Sequence, residues 1–158
     1  VIIPIYDRDV VVGQAIESIL NQSYKNFELI LICDGSPEKT RKIVMAFENH
    51  PQVRVLDFPE SSGNACRGRN AGILVARGKY VAFLDSDDLA VFNRLERTLL
   101  HFLDKRVDIV GGAIEYLVQG EKTRGFNNGQ IGFTSESCTY ELLLRQNMLS
   151  ICSVAVKR

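Results

Sequence analysis

Tyr80-Val81-Ala82-Phe83-Leu84, followed at once by Asp85-Ser86-Asp87-Asp88, is the stretch that decides the fold. Five apolar residues in a row, aromatic and β-branched among them, have the composition of a strand covered on both faces, as in a parallel sheet. Four polar residues, three of them acidic, then end the run. In open α/β sheets ligands bind outside the carboxyl ends of the strands. The carboxylates therefore arrive where a ligand would be held.

The same rhythm extends in both directions. Upstream, Val1 to Ile5 reads as a strand, and Val12, Ile16, Ile19 and Leu20 recur at helical spacing with Asp9 as the expected N-cap. Phe27 to Cys33 is a second buried strand. Ser36-Pro37 then predicts a helix start, a capping hydroxyl before Pro at the first helical position, with Ile43, Val44 and Phe47 on its apolar face. Val53 to Phe58 is a third strand, and residues 64–76 form a helix with Ala65, Ile73, Leu74 and Ala76 as core candidates. Downstream, Phe92, Leu95, Leu99, Phe102 and Leu103 mark one stripe of a long helix, and Val107 to Val118 contains a strand bent at Gly111-Gly112. Residues 119–137 are polar and Gly-rich and read as a hairpin or a mobile loop. A short helix over 140–146 and a strand from Ile151 to Val156 complete the pattern. Alternating strands and helices predict an α/β fold with a parallel or mixed sheet. The residues after strands one, two and four should converge: Pro4 to Asp7, Cys33 to Ser36, and Asp85 to Asp88.

Composition narrows the function. With 158 residues, 46% apolar and 24% charged, the chain suits one ordinary globular domain and not a disordered segment. Lys plus Arg equals Asp plus Glu at 19 each, so no basic excess points to nucleic acid. Cys33, Cys66, Cys138 and Cys152 show no C-x-x-C spacing, and His50 and His101 lie far from them. They read as reduced thiols of a reducing compartment, not as a zinc site. No apolar run reaches the ~18 residues of a membrane span. The chain opens inside a strand pattern, without Met or a signal peptide, and is expected to be a portion of a longer protein.

Clustered carboxylates repel one another and need a counter-charge. A hard divalent cation such as Mg²⁺ or Mn²⁺ takes oxygen ligands and keeps positions open for phosphate oxygens. The competing reading is that Asp87 or Asp88 caps the following helix. Other chemistries fail on spacing. Gly63 and Gly68 are spaced as in a Walker A loop, but Arg69-Asn70 stand where Lys and Ser/Thr are required. The first strand is not followed by Gly-x-Gly-x-x-Gly, and no G-x-S-x-G elbow occurs.

Five blocks in order resemble the family 2 glycosyltransferases of the GT-A fold. They are Val1 to Asp7, Ser18 to Tyr24, Asp34-Gly35-Ser36, Gly68-Arg69-Asn70-Ala71-Gly72-Ile73, and Gly78 to Asp88. Asn147 to Val154 resembles a looser acceptor-side block. The resemblance implies a GT-A-type mixed, mostly parallel sheet flanked by helices. Residues 1–112 would be a Rossmann-like nucleotide-sugar-binding portion, and 113–158 the start of the acceptor-side portion of the same domain. It implies transfer of a sugar from a nucleotide-diphospho-sugar, a UDP-sugar by the base pocket, to an acceptor hydroxyl, with inversion and with Mn²⁺ or Mg²⁺. Tyr6 would lie against the base, in a pocket shaped by Pro4. Asp34 would accept a hydrogen bond from the base. Asp85, with Ser86 beside it, would lie near the ribose and the metal, Asp87 would bind the metal, and Arg69 would fix the nucleotide or organise the loop. The general base is expected beyond Arg158. The acceptor is a glycan, a lipid-linked glycan or a protein, and the expected location is the cytoplasm or the cytoplasmic face of a membrane. Three positions depart from the family pattern: Asp7 replaces the usual Asn, Cys33 replaces an acid, and Leu89-Ala90-Val91-Phe92 lacks the usual aromatic and Pro. Two alternatives stand beside this reading: a haloacid-dehalogenase-like phosphatase with Asp85 as nucleophile, and a non-catalytic nucleotide-binding domain.

Overall fold

Strands β1 (Ile2–Ile5) and β2 (Leu29–Asp34) are buried along their whole length, as expected of central strands with helices on both faces. The computed structural model describes residues 1–112, 115–118, 121–124 and 150–158. β2 pairs in parallel with β1 on one side and with β3 (Val53–Phe58) on the other. Beyond β1, Phe83 forms a parallel bridge with Ile2, and Leu84 N–H donates to Ile2 O at 3.1 Å. This contact joins the first three strands to a second set, β4 (Tyr80–Ala82) and β5 (Ile109–Gly111). A late strand from Val154 to Lys157 lies antiparallel between those two. A hairpin, β6 (Glu115–Val118) with β7 (Glu121–Arg124), forms a separate two-stranded sheet. With the late strand numbered β8, the main sheet runs β3-β2-β1-β4-β8-β5.

Alternation along the central strands assigns the layers. Ile3, Ile5, Leu29, Leu31 and Cys33 pack against Val12, Ala15, Ile16 and Ile19 of helix α1 (Val12–Leu20) and Val44 of α2 (Glu38–Met45). Ile2, Ile30 and Ile32 face the other way, toward Ile73 of α3 (Cys66–Val75) and Ala76 beyond its end. Ala82 and Ala155 are covered by Leu95 of α4 (Arg94–His101) and by Phe102.

Helix α3 approaches the sheet through glycines. A Cβ on Gly68 would lie 3.0 Å from Pro4 Cβ, and one on Gly72 would lie 2.7 Å from the Ile2 side chain. This small-residue face replaces the apolar stripe expected there, and Leu74 is 80% exposed. Phe92 and Leu103 are likewise exposed, because α4 begins only at Arg94 and buries a narrower stripe.

Local expectations are corrected in four places. Asp9 does not cap α1; Val11 occupies that position, and the Arg8 carbonyl accepts from Val11 and Val12 N–H. Pro37, not Ser36, precedes the first turn of α2, and the Ser36 hydroxyl turns to Ile5 O. The strand expected within 107–118 is two strands in different sheets, β5 and β6. Residues Ile151–Ser153 form a 3-10 turn before β8. Within 119–137, Glu121–Arg124 is the second arm of a hairpin. The rest of that segment, and the helix expected over 140–146, lie outside the described residues.

Two glycines with positive φ give contrasting predictions. Gly35 (φ 67°) follows Asp34, and a Cβ there would lie 2.2 Å from Ser61 N, a backbone atom with nowhere to go. Gly63 (φ 77°) has open space around it. Gly63→Ala should cost about 1 kcal/mol from backbone conformation alone. Gly35→Ala should cost at least ~3 kcal/mol, because conformational strain and overpacking add. Urea unfolding of both variants checks this, and equal losses would contradict the crowding at Gly35.

Candidate functional site

Three loops meet at the carboxyl edge of the sheet because their strands are neighbours there. Ser36 Oγ donates to Ile5 O at 3.0 Å, tying the loop after β2 to the end of β1. Arg8 Nε donates to Asp87 Oδ2 at 3.1 Å, tying the loop after β1 to the turn after β4. The convergence expected from the sequence is present.

Asp88 N–H donates to Asp85 O at 3.1 Å, so the acidic stretch is a tight turn. Helix α4 starts six residues later, with Asn93 at its cap, so neither Asp87 nor Asp88 caps a helix. The loop carrying the acids is held from beneath by the end of α1. Gln22 is fully buried; its Nε2 donates to Val91 O at 2.7 Å and Ser18 O at 3.0 Å, and its Oε1 accepts from Leu95 N–H at 2.9 Å. Ala90 N–H donates to Ser18 Oγ, and Ser23 N–H to Phe92 O. A buried amide is stable only when its groups are satisfied. Here that requirement makes the Ser18 to Tyr24 block a cradle for the acidic loop.

Three acids of the edge, Asp34, Asp85 and Asp87, each pair with an arginine. Asp34 is 4% exposed. Its Oδ1 accepts from Arg67 Nε at 2.6 Å and from Arg67 Nη2, and its Oδ2 accepts from Ser62 N–H at 3.1 Å and Ser62 O–H at 2.6 Å. The Arg67 guanidinium lies over the Phe58 ring, 4.8 Å from its centroid. Burial pushes the Asp34 carboxyl up, but the Ser62 hydrogen bonds, followed by Arg67, outweigh it and hold the group below the usual carboxylate range. Arg69 Nη2 donates to Asp85 Oδ1 at 2.6 Å, which is the loop-organising contact expected of it. Arg69 Nε is buried without a hydrogen-bond partner among the described residues. Arg67 and Arg69 reach different acids because positions two apart on a helix lie about 200° apart around its axis.

The remaining sequence-predicted residues are distributed around this core. Tyr6 is 52% exposed at the edge. Pro4 is buried in β1 beneath Gly68, where α3 rests on the strand. Ser86 is buried within the acidic turn. Ligand atoms of Asp85, Asp88 and Cys152 lie within 4.8 Å of one another, a spacing that one ion can bridge. Two carboxylates suit a hard divalent cation, and the thiol is the softer third donor. Burial first, then a hydrogen bond to Asp88, push the Cys152 thiol up to about 11. Asp87 does not join this group, since it pairs with Arg8. The sequence reading missed Arg8, Ser62, Arg67 and Cys152. Their partners lie 79, 28, 33 and 64 residues away, and no local pattern announces such pairs.

The Asp34 cluster makes a pH prediction. A carboxyl held low in the folded state adds stability above its unfolded value, and that stability is lost as pH falls through the folded value. Asp34→Asn should therefore destabilise by about 2 kcal/mol near neutral pH, where hydrogen bonds to a charged group are lost. The gap to wild type should close only below the ordinary carboxylate range. Melting temperatures of both proteins from pH 7 to pH 3 test this, and a gap independent of pH would contradict the arrangement.

Comparison with known proteins adds a family. A family model described as Glycosyl transferase family 2 matches residues 1–151. An uncharacterized glycosyltransferase of Haemophilus influenzae is 34% identical over 160 residues, covering 100% of this chain and 61% of that protein. S. aureus TarS 1-349 in complex with UDP superposes with a TM-score of 0.68 over 84% of this chain and 37% of that one, at 22% identity. Mannosyltransferase PcManGT from Pyrobaculum calidifontis, in complex with GDP-Man and Mn²⁺, superposes with a TM-score of 0.64 over 72% of this chain and 34% of that one, also at 22% identity. These two likenesses concern the fold, which is the GT-A arrangement expected. The chain spans about three-fifths of the Haemophilus relative and about a third of each structure. Family membership decides against the phosphatase reading of Asp85. Carrying the family's blocks in order and matched by its model from residue 1 to residue 151, the chain belongs to Glycosyl transferase family 2.

Proposed function

We propose that this chain is the donor-binding portion of an inverting, metal-assisted glycosyltransferase that uses a UDP-sugar. The observation that carries the reading is the convergence of Tyr6, Asp34 and the Asp85 to Asp88 turn along one sheet edge, within a family 2 chain. The base would lie against Tyr6, with its imide N–H toward Asp34. Both Asp34 oxygens are engaged, but the Ser62 hydroxyl lies 2.6 Å from Asp34 Oδ2 and 2.9 Å from Asn64 O, with one proton to give. Turning that proton to Asn64 frees a lone pair on Asp34 for the uracil N–H. The ribose and diphosphate then extend toward Asp85 and Asp87.

In the transfer, the acceptor oxygen forms a bond to the anomeric carbon as the bond from that carbon to the diphosphate breaks. The hydroxyl proton passes to a general base. Asp85 and Asp87 would hold a divalent cation, close to the Asp88 and Cys152 that group with Asp85, and the ion would supply Lewis-acid stabilisation of the departing diphosphate. The protein's part is to hold donor and acceptor in register. The PcManGT complex holds Mn²⁺ and the TarS complex holds UDP, and both support this choice of ligands. The acceptor is a glycan, a lipid-linked glycan or a protein. Among the described residues no helix is long and apolar enough to cross a membrane. We place the reaction in the cytoplasm or at the cytoplasmic face of a membrane.

Titration with UDP and GDP, each with Mn²⁺ and with EDTA, tests the reading. UDP should bind at least ~10-fold tighter than GDP, which is about 1.4 kcal/mol, and EDTA should abolish the binding. Asp87→Ala should abolish Mn²⁺-dependent UDP binding with no more than ~0.5 kcal/mol change in stability, since Asp87 is exposed and caps no helix. UDP binding by the wild type that is indifferent to EDTA would defeat the metal assignment. Equal or tighter GDP binding would defeat the uridine assignment.

A further inference from the structure

Arg8 is the least constrained of the three arginines at the sheet edge. The Arg67 contact is made to a buried carboxylate and lies against an aromatic ring. The Arg69 contact is short and largely covered, with side chains 19% and 32% exposed. The Arg8–Asp87 pair is 47% and 50% exposed, and exposed ion pairs contribute little to stability. The backbone that carries Arg8 is firm, however. Its N–H donates to the hydroxyl of fully buried Thr40 at 3.2 Å, and its carbonyl accepts from Val11 N–H, at the cap of α1, and from Val12 N–H, its first residue. The guanidinium's other contact is local and exposed, Nη1 donating to Asp7 O at 2.7 Å, and it can persist when Nε leaves Asp87. A fixed base thus carries a guanidinium that is free to change partner at small cost.

The strand order places this group on the donor's path. The base end of the site is at β2, the acidic turn follows β4, and β1 lies between them. A nucleoside diphosphate laid from Asp34 to Asp87 therefore crosses the loop after β1, which carries Tyr6 and, two residues on, Arg8.

We propose that Arg8 is an exchangeable counter-ion. It neutralises Asp87 when the turn holds no cation, and it moves to the donor's diphosphate when a divalent cation takes the Asp87 carboxylate. This rests on the metal-assisted reading above. A dication at Asp87 repels the guanidinium more strongly than one exposed carboxylate attracts it. The diphosphate brings a new anion to the same place, and the guanidinium fork matches its oxygens. Arg8 is then a positioning residue for the diphosphate and a competitor of the free metal.

Arg8→Gln should shift two affinities in opposite directions. Without nucleotide, Mn²⁺ should bind about 3- to 10-fold tighter, because Asp87 has lost its competing cation. With saturating Mn²⁺, UDP should bind about 10-fold weaker, while uridine, which has no phosphate, binds as to wild type. Arg8→Lys should keep the wild-type Mn²⁺ affinity and recover part of the UDP affinity, since it keeps the charge and loses the fork. Calorimetry with each ligand, beside melting curves, reads these effects. A merely structural Arg8 would move uridine and UDP together. That result, or unchanged Mn²⁺ and UDP affinities in Arg8→Gln against a wild type that needs Mn²⁺ for UDP, overturns the exchange alone. UDP binding by the wild type that ignores EDTA overturns the metal reading and the exchange with it.

Discussion

Carboxylates gathered at one edge of an apolar sheet cannot stay there without compensating charge, and the rest of the site is arranged around that constraint. Asp34, Asp85 and Asp87 each receive one guanidinium, from Arg67, Arg69 and Arg8. The three pairs are graded by burial along the edge. At β2 the acid is covered and fully hydrogen-bonded; beyond β4 it stands half in water. Burial makes a pair expensive to separate, because an unpaired buried charge is costly, whereas an exposed pair separates cheaply. The edge is therefore rigid where a base would be recognised and labile where phosphate and metal would exchange.

The scaffold features follow from the same need. Arg67 and Arg69 flank Gly68, and Gly68 is where α3 rests on Pro4. A helix carrying larger residues at 68 and 72 would stand further from β1, and its arginines would no longer reach Asp34 and Asp85 together. The acidic turn is a loop with no helix of its own beneath it, so it takes its support from Gln22 and Ser18 at the far end of α1. Two elements distant in sequence thus fix the turn: α3 supplies the charge and α1 supplies the backbone contacts.

Much of this was legible in the sequence, and the limits are physical. Uninterrupted apolar runs gave the central strands, and the acids after them gave the edge, because strand composition and the carboxyl-edge rule are local or nearly so. Leu74, Phe92 and Leu103 were misplaced because helical periodicity assumes that apolar residues face the sheet. In α3 glycines take that face instead. Asp9 and Ser36 carry capping side chains, but a cap depends on where the backbone turns, and Ser36 found a better partner in the end of β1. The counter-charge was foreseen as a cation from solution, and among the arginines only Arg69 was expected to organise the loop. The arginines that share the task lie 16, 33 and 79 residues from their acids, and only the fold brings them together.

The last strand closes the circuit between the two sides of the site. β8 enters between β4 and β5, and the 3-10 turn before it sets Cys152 beside Asp85 and Asp88. With its thiol raised to about 11, Cys152 stays protonated near neutral pH beside Asp88. A protonated thiol is a neutral donor to a crowded carboxylate, so it relieves repulsion within the turn without adding charge. The Ser150 hydroxyl lies 3.2 Å from the same sulfur, which couples the turn to the backbone entering β8. The acidic turn and the segment from residue 150 to 154 are thus neighbours in space. Those residues lie within the block assigned to the acceptor side.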